Sequence, residues 1–181
     1  GRALGEADAQ RGAGSGEWWR QREAAWAMLG LASESLCRRM RSANSRGRPP
    51  PPLEPAALLD SAEHLRADVG AASPPLLRAR ALCIAARFSG AAGSAAALEP
   101  YLHAMLASLA PTEPPLLRVA ACRALCALCQ HGPAQAVAAA ASLFLSPVSE
   151  LFRLGSDDVA MAAAENLSLL LQHSAETVRA E

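Results

Sequence analysis

The chain has 181 residues, with 17 arginines and no lysine set against 17 acidic residues, so its formal net charge is zero. That balance argues against a general nucleic-acid binder, which needs a basic surface. No apolar run reaches the roughly 18 residues of a membrane span, so no membrane insertion is expected. Five cysteines, an odd number set mostly within helical patterns, point to reduced thiols in a cytosolic or nuclear protein. The first residue is Gly rather than Met, and the expectation is a segment of something longer.

Residues 1–16 are rich in Gly, Ala and Arg without an apolar period and read as a flexible lead-in loop. A helix is predicted from Glu17, with Trp18, Ala25, Leu29, Ala32 and Leu36 on one face and no preceding partner helix. One or both of Trp18 and Trp19 are expected in the core. The Arg- and Pro-rich stretch 41–52 reads as an inserted loop through which helix does not continue. A basic localisation or SH3-ligand segment is the alternative weighed for it. Leu58, Ala62, Leu65 and Val69 predict the next helix, and Leu76 to Phe88 its partner. Leu98, Leu102, Met105 and Leu109, with Tyr101 beside them, predict a strongly amphipathic helix that pairs with 116–130. Residues 134–154 read as one helix bent or broken at Pro147, which removes an i to i−4 bond. Asp157 or Asp158 is expected to cap a last helix through Leu171, and 174–181 reads as the tail of a truncated repeat. No segment shows the alternation of a strand, so the predicted class is all-α.

An internal repeat organises these elements. Pro74-Pro75-Leu76-Leu77-Arg78 recurs 40 residues later as Pro114-Pro115-Leu116-Leu117-Arg118. Proline suits the first helical turn, where its missing N–H has no intrahelical partner to lose, so each copy marks a helix start. Weaker copies lie at Arg22–Gly30 and Ser156–Ala164. A period near 40 belongs to HEAT and armadillo arrays, predicting an α–α superhelix of about four stacked hairpins over 17–173.

Cys122, Cys126 and Cys129 match the spacing of a three-cysteine iron–sulfur set, with His131 close by. Within one helix they share a face, and the upstream twin has Leu82-Cys83-Ile84-Ala85-Ala86 in the corresponding region, so they read as apolar core. His64, His103 and His173 each read as isolated. No nucleophile elbow or phosphate loop is present, so no catalytic, cofactor-binding or metal-binding residues are assigned and an enzyme is not expected. Arg78 and Arg118 are assigned a structural role. Both lie just inside second helices, where a guanidinium can bond carbonyls or an acid of the neighbouring repeat, with Glu113, Asp68 and Glu99 as candidates. Together they would form a ladder that fixes repeat stacking.

With those residues placed, the chain resembles the importin-β superfamily of nuclear transport receptors, the karyopherins. The resemblance rests on Glu17-Trp18-Trp19-Arg20-x-Arg22-Glu23-Ala24-Ala25 ending in Leu29-Gly30. It continues in Leu76-Leu77-Arg78-Ala79-Arg80-Ala81-Leu82 with Ala86-Arg87-Phe88, and in Pro114-Pro115-x-x-Arg118-x-x-Ala121-x-Arg123-Ala124. The resemblance implies a middle portion of a longer superhelix that shuttles between cytoplasm and nucleus and carries basic cargo, such as histones or ribosomal proteins, into the nucleus under Ran-GTP control. Ran-GTP and Phe-Gly nucleoporins would be partners through the full-length protein, with no direct nucleic-acid or membrane contact. The family's Ran-binding amino-terminal domain and acidic loop have no counterpart in these residues, so no cargo or Ran contact is carried over. Phe-Gly repeats would bind grooves between the outer helices 58–70, 98–110 and 134–154. The competing expectation is a HEAT scaffold of phosphatase- or coat-subunit type with no transport role.

Overall fold

The structure, a computed structural model, describes residues 2–12, 16–46, 55–60, 64–92 and 94–180. Among them there is no strand, and the fold is all-α. The helices are α1 (Arg2–Gly12), α2 (Trp18–Arg46), α3 (Pro55–Asp60), α4 (Leu65–Val69), α5 (Pro75–Phe88), α6 (Glu99–Ser108), α7 (Pro115–His131), α8 (Ala134–Ser149) and α9 (Asp157–Ala180). None of the described helices is long and apolar enough to cross a membrane.

The helices pack in two rows. In one row α2 lies against α5, α5 against α7, and α7 against α9. In the other, α4 meets α6 and α6 meets α8. Each member of the first row also packs on the helix that precedes it: α1 on α2, α4 on α5, α6 on α7, α8 on α9. Pro75 and Pro115 occupy the first helical position of α5 and α7, as the doubled prolines require. Burial repeats with the same displacement. Leu77, Arg78, Ala81, Leu82, Ala85 and Phe88 are buried in α5, as are Leu117, Arg118, Ala121, Cys122, Leu125 and Leu128 in α7. The preceding Leu76 and Leu116 are exposed in both. Leu98, Tyr101, Leu102, Met105 and Leu109 are all buried, and the Tyr101 hydroxyl donates to the Leu59 carbonyl at 2.6 Å.

Several expectations need correction. Residues 2–12 form a helix rather than a loop. Leu4 and Ala7 are buried, so α2 does have a preceding partner helix. Helix α2 carries on through Arg46, so 41–46 is helical, while 47–52 lies outside the described residues. The most buried face of α2 holds Arg22, Trp26, Gly30 and Ser33; of the expected face Trp18, Ala25, Leu29 and Leu36 are half-buried and pack against the core, and Ala32 is exposed. Trp26 is the fully buried tryptophan, while Trp18 and Trp19 pack against the edge of the core. Trp18 and Trp19 are half-buried, with the guanidinium of Arg11 4.6 Å from the Trp18 ring and that of Arg20 5.6 Å from Trp19. The helix expected over 58–69 is present as α3 and α4, with 61–63 outside the described residues. Helix α8 runs through Pro147 to Ser149 before tightening into a 3-10 turn over Glu150–Leu154. Asp157 and Asp158 sit inside the first turn of α9, where their charge favours the helix N-terminus, and Ser156 precedes it. The last helix continues past Leu171 to Ala180.

Close approach requires glycine at Gly132, where a Cβ would lie 2.6 Å from the Leu128 carbonyl oxygen, and at Gly90. A Cβ on Gly90, in the 3-10 turn after α5, would lie 2.7 Å from the His131 carbonyl oxygen at the end of α7. That oxygen is backbone and cannot swing aside.

Candidate functional site

The polar chemistry of this apolar fold is concentrated on three arginines near the starts of α2, α5 and α7. Arg22, on the buried face of α2, donates from Nε to Asp68 Oδ2 at 2.9 Å, and its Nη1 reaches Asp8 Oδ1 on α1. Trp26, one turn on, donates its indole N–H to the same Asp68 oxygen at 2.7 Å. Asp68 lies on α4 and is fully buried, as is Arg22. Burial pushes the Asp68 carboxyl above its ordinary range, against the opposing pull of Trp26 and Arg22, and Asp8 adds to the rise. Its other oxygen, Oδ1, has no donor among the described residues. His64, expected to be isolated, has Nδ1 3.8 Å from Asp8 Oδ2.

Arg78 forms a forked pair with Glu113, Nη1 to Oε2 at 3.1 Å and Nη2 to Oε1 at 2.9 Å. Its Nη2 also donates to Ser108 Oγ at 3.3 Å. Glu113 stands just before Pro114, in the turn that leads from α6 into α7. Arg118 therefore does not meet Glu113. It lies one turn inside α7 and donates from Nε to the Leu109 carbonyl at the end of α6, 3.2 Å away. Of the three acids reached, Asp68 and Glu113 belong to the hairpin after the arginine that binds them, and Asp8 to Arg22's own hairpin. Arg118 is satisfied instead by its own hairpin, and Glu99 is bonded to none of the three.

The cysteine stripe of α7 faces α9. Asn166 donates to Cys122 Sγ at 3.2 Å, and Gln130 bridges Cys126 Sγ at 3.6 Å and Glu165 Oε1 at 3.3 Å. Burial raises the thiols of Cys122 and Cys129 to about 12 and that of Cys126 to about 11, the last also pushed by Glu165. Such thiols are neutral at physiological pH and poorly disposed to ligate or attack. Among the described residues no group of three or more His, Cys, Asp or Glu is placed to hold a metal ion.

A groove of about 870 Å³ opens beside this network, between the ends of α5 and α7 and the middle of α2. Ser33, Glu34, Cys37, Arg87, Gln130 and His131 contribute to its wall. Arg87 is held across it by donating to the Gly30 carbonyl at 2.8 Å and to Ser33 Oγ at 3.3 Å. Its mixed polar wall suits an extended peptide segment better than a small apolar ligand. Of the outer helices expected to form grooves, α4 packs on α6 and α6 on α8.

Sequence reasoning missed Trp26, Asp8 and Asn166. Trp26 had a signal, since it stands four residues after Arg22 and shares its face. Asp8 and Asn166 had none, because their partners come from other helices. The chain matches no model of a known protein family, and no curated protein matches it significantly.

Proposed function

We propose that the chain is a HEAT-type solenoid segment of an importin-β-type transport receptor. It acts by binding rather than by catalysis. In this reading the full protein carries basic cargo, histones or ribosomal proteins, into the nucleus, and Ran-GTP releases the cargo by favouring another curvature of the superhelix. It moves between cytoplasm and nucleus by engaging Phe-Gly nucleoporins. The observation that carries the reading is the coincidence of three periodicities at one displacement. The Pro-Pro-Leu-Leu-Arg motif, the burial pattern of α5 and α7, and the buried arginine all repeat together. Hairpins repeated in this way stack on their neighbours, and extended surface is what such arrays offer a partner. The transport role itself rests on the sequence resemblance. The acidic end of the chain suits basic cargo, with Asp157, Asp158 and Glu165 exposed on α9.

The test is capture of a core-histone dimer and of a Phe-Gly repeat peptide by the 181-residue chain. Salt-sensitive histone binding together with peptide binding is expected. Binding of neither would move the protein to the scaffold reading, in which repeats hold a phosphatase or coat partner without transport.

A further inference from the structure

The groove beside α2 exists because three successive helices of the first row differ in length. Counted from the repeated arginine, the end of α5 at Phe88 corresponds to Ala32 of α2 and Leu128 of α7. Helix α2 runs on to Arg46 and α7 to His131. Where α5 stops, the chain turns through Ser89–Ala91 and leaves about 870 Å³ between its longer neighbours. That is within the range of ligand clefts, about 300–1,000 Å³. Gly90, Ala91, Ala92 and Ala127 are in its lining, and their small side chains keep it open. The groove lies inside the row, so its walls are the same whether or not further hairpins flank α2 and α9.

Two basic side chains from different helices line it, Arg87 of α5 and His131 of α7, both exposed. Each stands in the last turn of its helix, where a cation complements the helix dipole, so position alone assigns neither a ligand. The bonding of Arg87 goes further. Its Nη1 makes both contacts, to the Gly30 carbonyl and to Ser33 Oγ, and no acid meets the guanidinium among the described residues. Nε and Nη2 remain, the two-donor edge that takes a carboxylate as a fork. Glu34, the acid in the lining, is paired with Arg38 at 2.6 Å, and Glu165 of α9 accepts from Gln130 at 3.3 Å. Past Glu34 the chain meets no acid until Glu54, against Arg38, Arg39, Arg41, Arg46 and Arg48. The local charge therefore favours an anionic ligand.

The groove also offers acceptors. The last turns of α5 and α7 end at it, and helix ends leave carbonyls without intrahelical partners. A polypeptide brings backbone N–H groups for such carbonyls and carboxylates for the guanidinium. A nucleic-acid backbone brings charge but no N–H, and the lining has no Trp, Tyr or Phe on which a base would stack. We propose that this groove docks an acidic, extended peptide segment of a partner protein, with one carboxylate forked on Arg87 and its neighbours toward His131 and the arginines of α2. The site is separate from the exposed Asp157 and Asp158 of α9, so this proposal and the transport reading stand or fall separately.

The test is fluorescence polarisation of the 181-residue chain with a labelled peptide of alternating glutamate and glycine, whose acids share one side of an extended backbone. Saturable binding that weakens as salt rises is expected. Peptides with glutamine or lysine in place of glutamate should bind about tenfold more weakly. Arg87→Gln keeps a donor for the Gly30 carbonyl but removes the fork, so binding should fall about fivefold with circular dichroism unchanged. Glu34→Gln removes the acid of the lining and frees Arg38, so binding should tighten about threefold. A damaged fold cannot produce that gain, so this variant decides if Arg87→Gln unfolds. Absence of saturable binding by the parent chain overturns the proposal, as does a glutamine peptide that binds equally well. Parent-like affinity in a folded Arg87→Gln, or no gain in Glu34→Gln, overturns it too. A single-stranded oligonucleotide that binds more tightly than the acidic peptide, and is weakened by Arg87→Gln, overturns it in favour of nucleic acid.

Discussion

Arg78 and Glu113 close a two-bond fork between the first turn of α5 and the turn that opens α7, joining two successive hairpins. The arginine side chain is 6% exposed and the glutamate 23%, so water does not screen the pair as it does a surface ion pair. Arg78→Ala is expected to cost about 2 kcal/mol, in the range for a partly buried charge-assisted bond. Arg78→Lys should recover only part of this, because an ammonium cannot reproduce the fork. In a double-mutant cycle with Glu113→Ala, urea unfolding should give a coupling of about 1–2 kcal/mol. Additivity would mean that the fork contributes nothing to the join between hairpins.

The Arg22–Asp68–Trp26 cluster predicts a pH signature. A carboxyl raised in the folded state binds its proton more tightly there than in the unfolded chain. Its contribution is therefore fully present below the ordinary value of 3.8 and is lost as pH rises through the folded value. Asp68→Asn removes the titration while keeping an acceptor for Trp26 and Arg22. The stability of the parent relative to this variant should decline as pH is raised from below 3.8, measured by denaturant unfolding at several pH values. A relative stability that grows with pH would show that Arg22 outweighs burial. Asp68→Ala is expected to cost about 3 kcal/mol or more, because it strips Arg22 of a buried partner.

Among the described residues Arg118 donates to a carbonyl of its own hairpin and meets no acid. Arg118→Ala should cost about 1–2 kcal/mol. Its effect should add to that of Glu113→Ala within about 0.5 kcal/mol, since Glu113 is engaged by Arg78. Thermal or urea unfolding of the two single variants and the double variant measures this. Strong non-additivity would place Arg118 on Glu113 after all.

The cysteines of α7 should resist alkylation in the native protein. With Cys122 and Cys129 raised to about 12 and Cys126 to about 11, the thiolate fraction at pH 8 is smaller than that of an ordinary thiol by orders of magnitude. Iodoacetamide followed by mass spectrometry should label these three only after urea is added, with Cys126 the first to react. Rapid native labelling of Cys122 would contradict its burial against Asn166.

A fifth expectation concerns Gly90. Gly90→Ala should destabilise the fold by about 1–3 kcal/mol, because the new methyl meets the His131 carbonyl and the turn must move away from α7. An unchanged melting temperature would show that this join between α5 and α7 is loose.

Much of the architecture was legible from local signals. The doubled prolines mark the starts of α5 and α7 because a first-turn residue needs no N–H bond. The stripe from Leu98 to Leu109 specified the buried side of α6 because its spacing follows the helical period. Arginine type and position were legible as well, since the repeat carried them.

The tertiary structure decided what no local pattern encodes. Residues 2–12 have too few apolar side chains to declare a helix, and their order comes from placing Leu4, Ala7 and Asp8 against α2. Glu113 follows α6 and precedes α7 by one turn, so the sequence brought it nearest to Arg118. Space brought it to Arg78, because stacking lays the first turn of one hairpin beside the loop of the next. On α2 the apolar period finds Trp18, Ala25, Leu29 and Leu36, which pack against the core, but not its most buried line: Arg22 and Trp26 look unlike core until the acids that satisfy them arrive from other helices. Hydrophobic period is a property of one helix, whereas the partner of a buried charge belongs to the packing of several.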